Sequence, residues 1–233
     1  MKKIIVIFSS LVALVATIAL VYTNTELGYG RLTQPKTTQP NNSLEILELL
    51  ENLPSFEYSP LIPTYERAQF GQRWSDDVTV EYGHNGCDTR NDILKRDLRE
   101  VTYKPETRDC VVQSGILDDV YTGETIYFQR GNDTSALVPI DHIVALAQAW
   151  YFGAYAWDED KRRNFANDPL NLQATTESAN KAKSAHTVEQ WLPITEYQCT
   201  FAQRVVTVKS SYTLAVTELE REILREVLQN CSV

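Results

Sequence analysis

Two lysines at positions 2 and 3 are followed by 19 uncharged, mostly apolar residues, from Ile4 to Tyr22. A basic start with an apolar run is typical of export, but this run exceeds the ~7–15 residues of a signal peptide and approaches the ~20 that span a membrane. Residues 1–23 therefore predict either a cleaved signal peptide or an uncleaved membrane anchor. As an anchor, they would keep the N-terminus cytoplasmic and place the rest of the chain outside.

Export brings the chain to an oxidising environment, and it has four cysteines, at positions 87, 110, 199 and 231. An even number of cysteines in an exported chain predicts two disulfides, for which three pairings are possible. We favour Cys87–Cys110 and Cys199–Cys231, because each closes a loop of a few tens of residues and would stabilise the fold by about 3 kcal/mol. A zinc site is the alternative, but the chain lacks the cysteine and histidine spacing that such a site needs.

The rest of the chain predicts a stalk and one folded domain. Residues 24–42 are polar and contain Gly, Pro, Thr and Gln, which predicts a flexible stalk, and residues 43–233 have the length of a single domain. Helical spacing of apolar residues predicts helices over Ser43–Leu53, Asp88–Val101 and Thr217–Asn230. Short β-prone runs lie between them. We therefore expect an α+β fold in which helices dominate.

Charge and missing motifs exclude several classes of function. The net charge of −9, from 22 basic and 31 acidic residues, excludes a broad basic surface of the kind that coats nucleic acid. The chain has no H-E-x-x-H, G-x-S-x-G, G-x-G-x-x-G or Walker motif, which argues against zincins, esterases and nucleotide-cofactor enzymes. An enzyme that meets nucleic acid locally, through a metal ion and a few cations, remains possible.

The dipeptide Asp141-His142 follows a β-prone run and precedes an apolar stretch. Neighbouring side chains of an extended backbone point to opposite faces, so the carboxylate can bind a hard cation while the imidazole takes a proton from water. A structural histidine is the alternative for the dipeptide alone. Asn171, in a second strand candidate, and Asn180, in a helix candidate, add amide oxygens. Together they predict one metal site on a β-β-α unit.

This ordered set resembles the ββα-metal (HNH-type) nucleases in their Asp-His/Asn/Asn form, and most closely the exported HNH endonuclease family proteins of bacteria. The matching stretches, spread over residues 61–231, are FGQRWSDD (70–77), NGCDTRNDILKRDL (85–98), RDCVVQSGILDDVYTGETIYFQRG (108–131), IDHIVALAQAW (140–150), FANDPLNLQA (165–174), NKAK (180–183) and WLP (191–193). The family usually has Gly-Asp after N-x-x-K, whereas Lys183 precedes Ser184-Ala185 here. The 28 residues between His142 and Asn171 are interpreted as an inserted helical pair.

The resemblance implies a role for each site residue. His142 is the general base that activates water, and Asn171 holds the loop that orients it. Asp141 and Asn180 bind one divalent metal, with Mg²⁺ favoured and Mn²⁺ as the alternative. The substrate is nucleic acid, with DNA favoured over RNA. The protein is expected to be a monomer, secreted or anchored on the outer face of the bacterial cell membrane, and to meet the membrane only through its N-terminal segment.

Four cations are expected to contact flanking phosphates: Lys181, Lys183, Arg90 and Arg108. Solvated surface charge is the alternative for each, and ion pairs with neighbouring aspartates are a further alternative for Arg90 and Arg108. Two other functions remain open for the whole chain. One is a catalytically inactive extracellular binding module with the same fold. The other is an exported hydrolase of another bond, for which we find neither a carboxylate pair nor zinc spacing.

Overall fold

The computed structural model describes residues 43–231. The predicted signal peptide or anchor, the predicted stalk and the last two residues lie outside the described residues. Within the described range, none of the helices has both the length and the apolar character needed to cross a membrane.

Helices contain more residues than strands, and the fold is the predicted α+β class. In the described part of the chain there are seven α-helices: α1 (Ser43–Glu51), α2 (Thr89–Asp97), α3 (Leu146–Tyr151), α4 (Glu159–Asn167), α5 (Glu177–Lys183), α6 (Thr195–Tyr212) and α7 (Glu218–Gln229). The strands are β1 (Leu98–Tyr103), β2 (Val112–Asp118), β3 (Thr125–Gln129), β4 (Ile140–His142) and β5 (Leu172–Ala174). Strands β1, β2 and β3 form one antiparallel sheet, and β4 pairs with β5 in a second.

Two hydrophobic cores lie under these elements. The larger contains buried side chains of α1, α3, α4, α6 and α7, whereas the smaller lies between α2 and the strands. Ile140 belongs to the smaller core, and Ile143 belongs to the larger. Asp141 and His142 therefore lie where the two cores meet, on a backbone that is anchored on both sides.

The helix predicted over Asp88–Val101 is shorter in the structure. It ends at Asp97, and the chain continues as β1, which pairs Leu98 with Leu117 of β2. The helical spacing of apolar residues extends beyond Asp97, but the backbone hydrogen bonds of the sheet and the β-branched residues of this stretch favour an extended strand. The prediction was therefore wrong for residues 98–101.

Both termini of the described chain agree with their sequence patterns. Helix α1 begins at Ser43, and Thr217 caps α7 by accepting a hydrogen bond from the Glu220 amide. The disulfides join Cys87 to Cys110 and Cys199 to Cys231, which is the pairing favoured from loop length. The second disulfide joins Cys199, in the second turn of α6, to Cys231, two residues beyond the end of α7.

The segment between His142 and Asn171 forms a pair of helices, α3 and α4, as interpreted from its length. This helical insertion (residues 143–170) separates β4 from β5 in sequence but leaves them paired in space. Helix α5 follows β5 after Thr175 and Thr176, so the predicted β-β-α unit is present. Asn171, however, ends a 3₁₀ turn (Pro169–Asn171) just before β5 and does not lie in the strand as predicted.

Candidate active site

The β-β-α unit places three of the predicted residues around one cavity. Asp141 and His142 end β4, where they face Gln173 and Leu172 of β5 in the antiparallel register. Thr176 caps α5 by accepting from the Ala179 amide, which starts the helix one turn before Asn180. Asp141, His142 and Asn180 all line a cavity of about 520 Å³, here called the β4–α5 cavity.

The imidazole of His142 is half-buried and held on two sides. Its ring stacks on that of Trp74, with centroids 6.1 Å apart, and Nε2 lies 3.0 Å from the carbonyl oxygen of Ala166 at the end of α4. A carbonyl oxygen only accepts hydrogen bonds, so in the neutral ring Nε2 carries the proton and Nδ1 has the lone pair. Among the described residues, Nδ1 has no hydrogen-bond partner.

The electrostatics of the cavity favour a neutral His142. Burial lowers its pKa to about 4, the charges of Arg67 and Lys183 act in the same direction, and the hydrogen bond to Ala166 opposes them. The imidazole is therefore uncharged at neutral pH. In this state it can accept a proton at Nδ1.

Asn171 fixes the backbone just after His142. Its Oδ1 accepts from the Val144 amide at 2.8 Å, its Nδ2 donates to the Val144 carbonyl at 3.2 Å, and its own carbonyl accepts from the Ile143 amide at 2.8 Å. The side chain is fully buried. This is the arrangement that the predicted role requires, because the amide group satisfies both backbone groups of a segment outside any helix or strand.

Replacing Asn171 with aspartate should destabilise the protein by at least about 3 kcal/mol. One carboxylate oxygen would face the Val144 carbonyl, which also only accepts, and the new charge would be buried without a partner. Asn164 is a matched control, because its side-chain amide also forms two hydrogen bonds with one residue: Oδ1 accepts from the Thr79 amide, and Nδ2 donates to the Thr79 hydroxyl. That hydroxyl can rotate to donate, so Asn164→Asp should cost far less. Urea denaturation measures both, and equal losses would contradict the assigned role of Asn171.

Asp141 lines the β4–α5 cavity, but most of its side chain is buried in a polar cluster. The hydroxyl of Tyr121 donates to Oδ2 at 2.9 Å, and Lys183 Nζ lies 3.1 Å from Oδ2 and 3.2 Å from Oδ1. Lys183 also donates to the His142 carbonyl at 2.7 Å. Burial raises the pKa of Asp141, while Lys183 and Tyr121 oppose the rise. Lys183 therefore links the carboxylate to the backbone of the histidine.

The four cations predicted to contact phosphate lie in different environments. Lys183 is fully buried, so its predicted contact with phosphate is corrected to the contact with Asp141. Arg90 donates to the carbonyls of Ser135 and Val138. Arg108 is exposed beside the Cys87–Cys110 disulfide and lines a separate cavity. Of the four, only Lys181 is an exposed residue of the β4–α5 cavity, where it pairs with Glu177 at 2.6 Å.

Three residues of the site were missed from the sequence. Trp74 backs the His142 ring, Tyr121 donates to Asp141, and Arg67 lines the β4–α5 cavity. Two of these residues, Trp74 and Tyr121, lie within the stretches FGQRWSDD and RDCVVQSGILDDVYTGETIYFQRG, but no local pattern connects any of the three with Asp141 or His142. Residues 64–74 are aromatic and basic, and this composition is the one sequence feature that sets Arg67 and Trp74 apart.

The donor set around the cavity suits a hard divalent cation bound with few protein ligands. Among the described residues, the Asn180 side chain has no hydrogen-bond partner, and Asp141 Oδ1 has one. No three His, Cys, Asp or Glu side chains come together as a metal-binding group anywhere in residues 43–231. Mg²⁺ commonly takes one or two carboxylates and completes its shell with water and phosphate oxygens. Asp141 and Asn180 fit that pattern.

Comparison with known proteins gives the family. A secreted protein of Arthroderma benhamiae, itself described as uncharacterized, is 36% identical over 148 residues, which cover 62% of this chain and 68% of the relative. No solved structure matches. The sequence model of the GmrSD restriction endonucleases, C-terminal domain, matches residues 88–227, a range that includes β4, β5 and α5. The chain therefore belongs to this nuclease-related family.

Proposed function

We propose that this protein is an exported endonuclease that hydrolyses phosphodiester bonds of nucleic acid with the help of a divalent metal ion. The observation that carries the proposal is the β4–α5 cavity, in which His142 has a fixed, neutral imidazole beside Asp141 and Asn180. Membership of a restriction endonuclease family supports the same reaction class. DNA is the favoured substrate and RNA the alternative.

His142 acts as the general base. The hydrogen bond from Nε2 to Ala166 leaves the Nδ1 lone pair for the proton of the attacking water, and Asn171 holds the following backbone so that the ring keeps its direction. General bases positioned in this way typically accelerate a reaction by about 10²–10⁴-fold. Stacking on Trp74 restricts ring rotation, which favours the one orientation that the reaction uses.

Asp141 and Asn180 would hold the metal ion, with Mg²⁺ favoured over Mn²⁺. When bound, such an ion neutralises charge on the scissile phosphate and on the leaving oxygen. Lys183 keeps Asp141 in place through its contacts with both carboxylate oxygens. Its ammonium also competes with any cation for that carboxylate, so we expect moderate rather than tight metal affinity.

The alternative function is a catalytically inactive extracellular binding module. The ion pair between Asp141 and Lys183 favours it, because a carboxylate that is already neutralised can be purely structural. The intact set of His142, Asn171 and Asn180 favours the nuclease. Both functions agree with an extracellular location, which the two disulfides and the secreted relative support. We expect a monomer in either case, with only the N-terminal segment meeting a membrane.

Plasmid cleavage separates the two functions. The full chain should convert supercoiled DNA to nicked and linear forms in Mg²⁺, lose this activity in EDTA, and recover it when Mg²⁺ or Mn²⁺ is added in excess. Parallel reactions with single-stranded DNA and RNA establish the substrate preference. Absence of cleavage on every substrate with either metal would reject the nuclease and favour the binding module.

A further inference from the structure

Among the buried and half-buried arginines of residues 43–231, only Arg67 donates no short hydrogen bond to an oxygen atom. Its only hydrogen bond reaches the Gly71 carbonyl at 3.5 Å, the limit for such a contact, and it forms no ion pair with any described residue. The other buried or half-buried arginines each donate to an oxygen at 2.8 Å or closer: Arg90, Arg130, Arg162, Arg163, Arg204, Arg221 and Arg225.

The unpaired guanidinium lines the β4–α5 cavity. Arg67 begins the short 3₁₀ helix Arg67–Phe70 and shares the cavity wall with His142, Asn180 and Lys181. Burial lowers the pKa of Arg67, and its charge in turn disfavours protonation of His142, so the guanidinium acts electrostatically on the imidazole. A partly desolvated cation without an anionic partner is costly, and an anion entering the cavity would remove that cost.

We propose that Arg67 binds a backbone phosphate of the nucleic-acid substrate within the β4–α5 cavity, beside His142. This inference rests on the proposed nuclease function and adds a residue that binds its substrate. A guanidinium can donate two parallel hydrogen bonds to phosphate oxygens, whereas an ammonium acts as a point charge. Arg67 lies outside residues 88–227, so the N-terminal part of the described domain supplies this contact to the family core.

The phosphate contact should appear in the Michaelis constant. In the full chain, Arg67→Gln should raise the KM for a DNA duplex by about tenfold, the size expected for a lost charge-assisted hydrogen bond, with a smaller change in kcat. Arg67→Lys should fall between Arg67→Gln and the wild type, because it keeps the charge without the two-pronged geometry. The matched control is Lys104→Gln, which removes one positive charge from an exposed residue outside the cavity.

Binding provides a readout that does not depend on turnover. In a His142→Ala background with Mg²⁺, fluorescence anisotropy of a labelled duplex should show Arg67→Gln weakening affinity and reducing the slope of log K against log salt by about 0.9. Lys104→Gln should leave both unchanged. Equal effects of the two substitutions on KM and on the salt slope would overturn the proposal, because Arg67 would then contribute no more than an exposed charge outside the cavity.

Inorganic phosphate distinguishes failure of this inference from failure of the proposed function. Phosphate should raise the melting temperature of the wild type and of Lys104→Gln, but not that of Arg67→Gln. If no nucleic acid is cleaved while this difference persists, the nuclease proposal fails and the anion site stands as a site for free phosphate. If cleavage is normal and phosphate stabilises Arg67→Gln as much as the wild type, the Arg67 site fails and the nuclease stands.

Discussion

His142→Ala should reduce DNA cleavage by at least about 10²–10⁴-fold, because it removes the proposed general base from the β4–α5 cavity. The protein should remain folded. The substitution deletes one hydrogen bond to Ala166 and the stacking on Trp74, which together stabilise the fold by about 1–2 kcal/mol. Initial rates on supercoiled plasmid in Mg²⁺, measured beside a thermal melt, test both parts.

A second histidine provides the control for this experiment. His84 is exposed, lies outside the cavity and has a left-handed backbone with φ +59°, a conformation that asparagine tolerates. His84→Asn should therefore keep the wild-type rate. Loss of the cooperative melt in His142→Ala would mean that this histidine is structural, and an unchanged cleavage rate would remove it from the mechanism.

Lys183→Met should destabilise the protein by about 3–5 kcal/mol, because it leaves the buried carboxylate of Asp141 without its counter-charge. It should also make the protein more responsive to metal. With the competing ammonium gone, Mg²⁺ at Asp141 would replace the lost charge, so the rise in melting temperature on adding Mg²⁺ should be larger than in the wild type. Thermal melts across a Mg²⁺ titration measure both effects.

The chain contains a matched control for this prediction. Lys209 forms a second fully buried pair with Glu220, at 2.6 Å, away from the cavity. Lys209→Met should destabilise the protein to a similar degree but gain nothing from Mg²⁺. The double substitution Lys183→Met with Asp141→Asn removes both charges, so it should recover stability and lose the Mg²⁺ response. A Mg²⁺ response of equal size in Lys183→Met and Lys209→Met would contradict metal binding at Asp141.

Local sequence patterns were sufficient for the β-β-α unit and for the helical insertion. Asp141-His142 at the end of a strand and Asn180 in a helix follow from short-range periodicity, and both disulfides follow from loop length. The hydrogen bonds of Asn171 agree with the role that the family resemblance implied. The metal ion and the reaction itself remain predictions.

Contacts that depend on tertiary packing were not predictable in this way. Lys183 and Asp141 are separated by 42 residues in the chain, so nothing in N-x-x-K indicated that the ammonium turns inward. The end of α2 at Asp97 depends on pairing with β2, which helical periodicity does not reveal. Helix α6 was not predicted: its buried residues lie on one face, but that face includes the charged Lys209, which weakens the apolar stripe that marks an amphipathic helix.

Because the helical insertion separates His142 from the residues that orient it, the candidate base is not in position until the chain has folded. His142 is oriented by Ala166, 24 residues further along, and Val144, two residues after His142, is held by Asn171, 27 residues away from Val144. In a chain in which α3 and α4 have not docked, all of these side chains are present, but no hydrogen bond to Ala166 selects the tautomer of His142. For the exported nuclease proposed above, a polypeptide in transit across a membrane would therefore be harmless to the nucleic acid of the cell that makes it, and would gain activity only after folding outside.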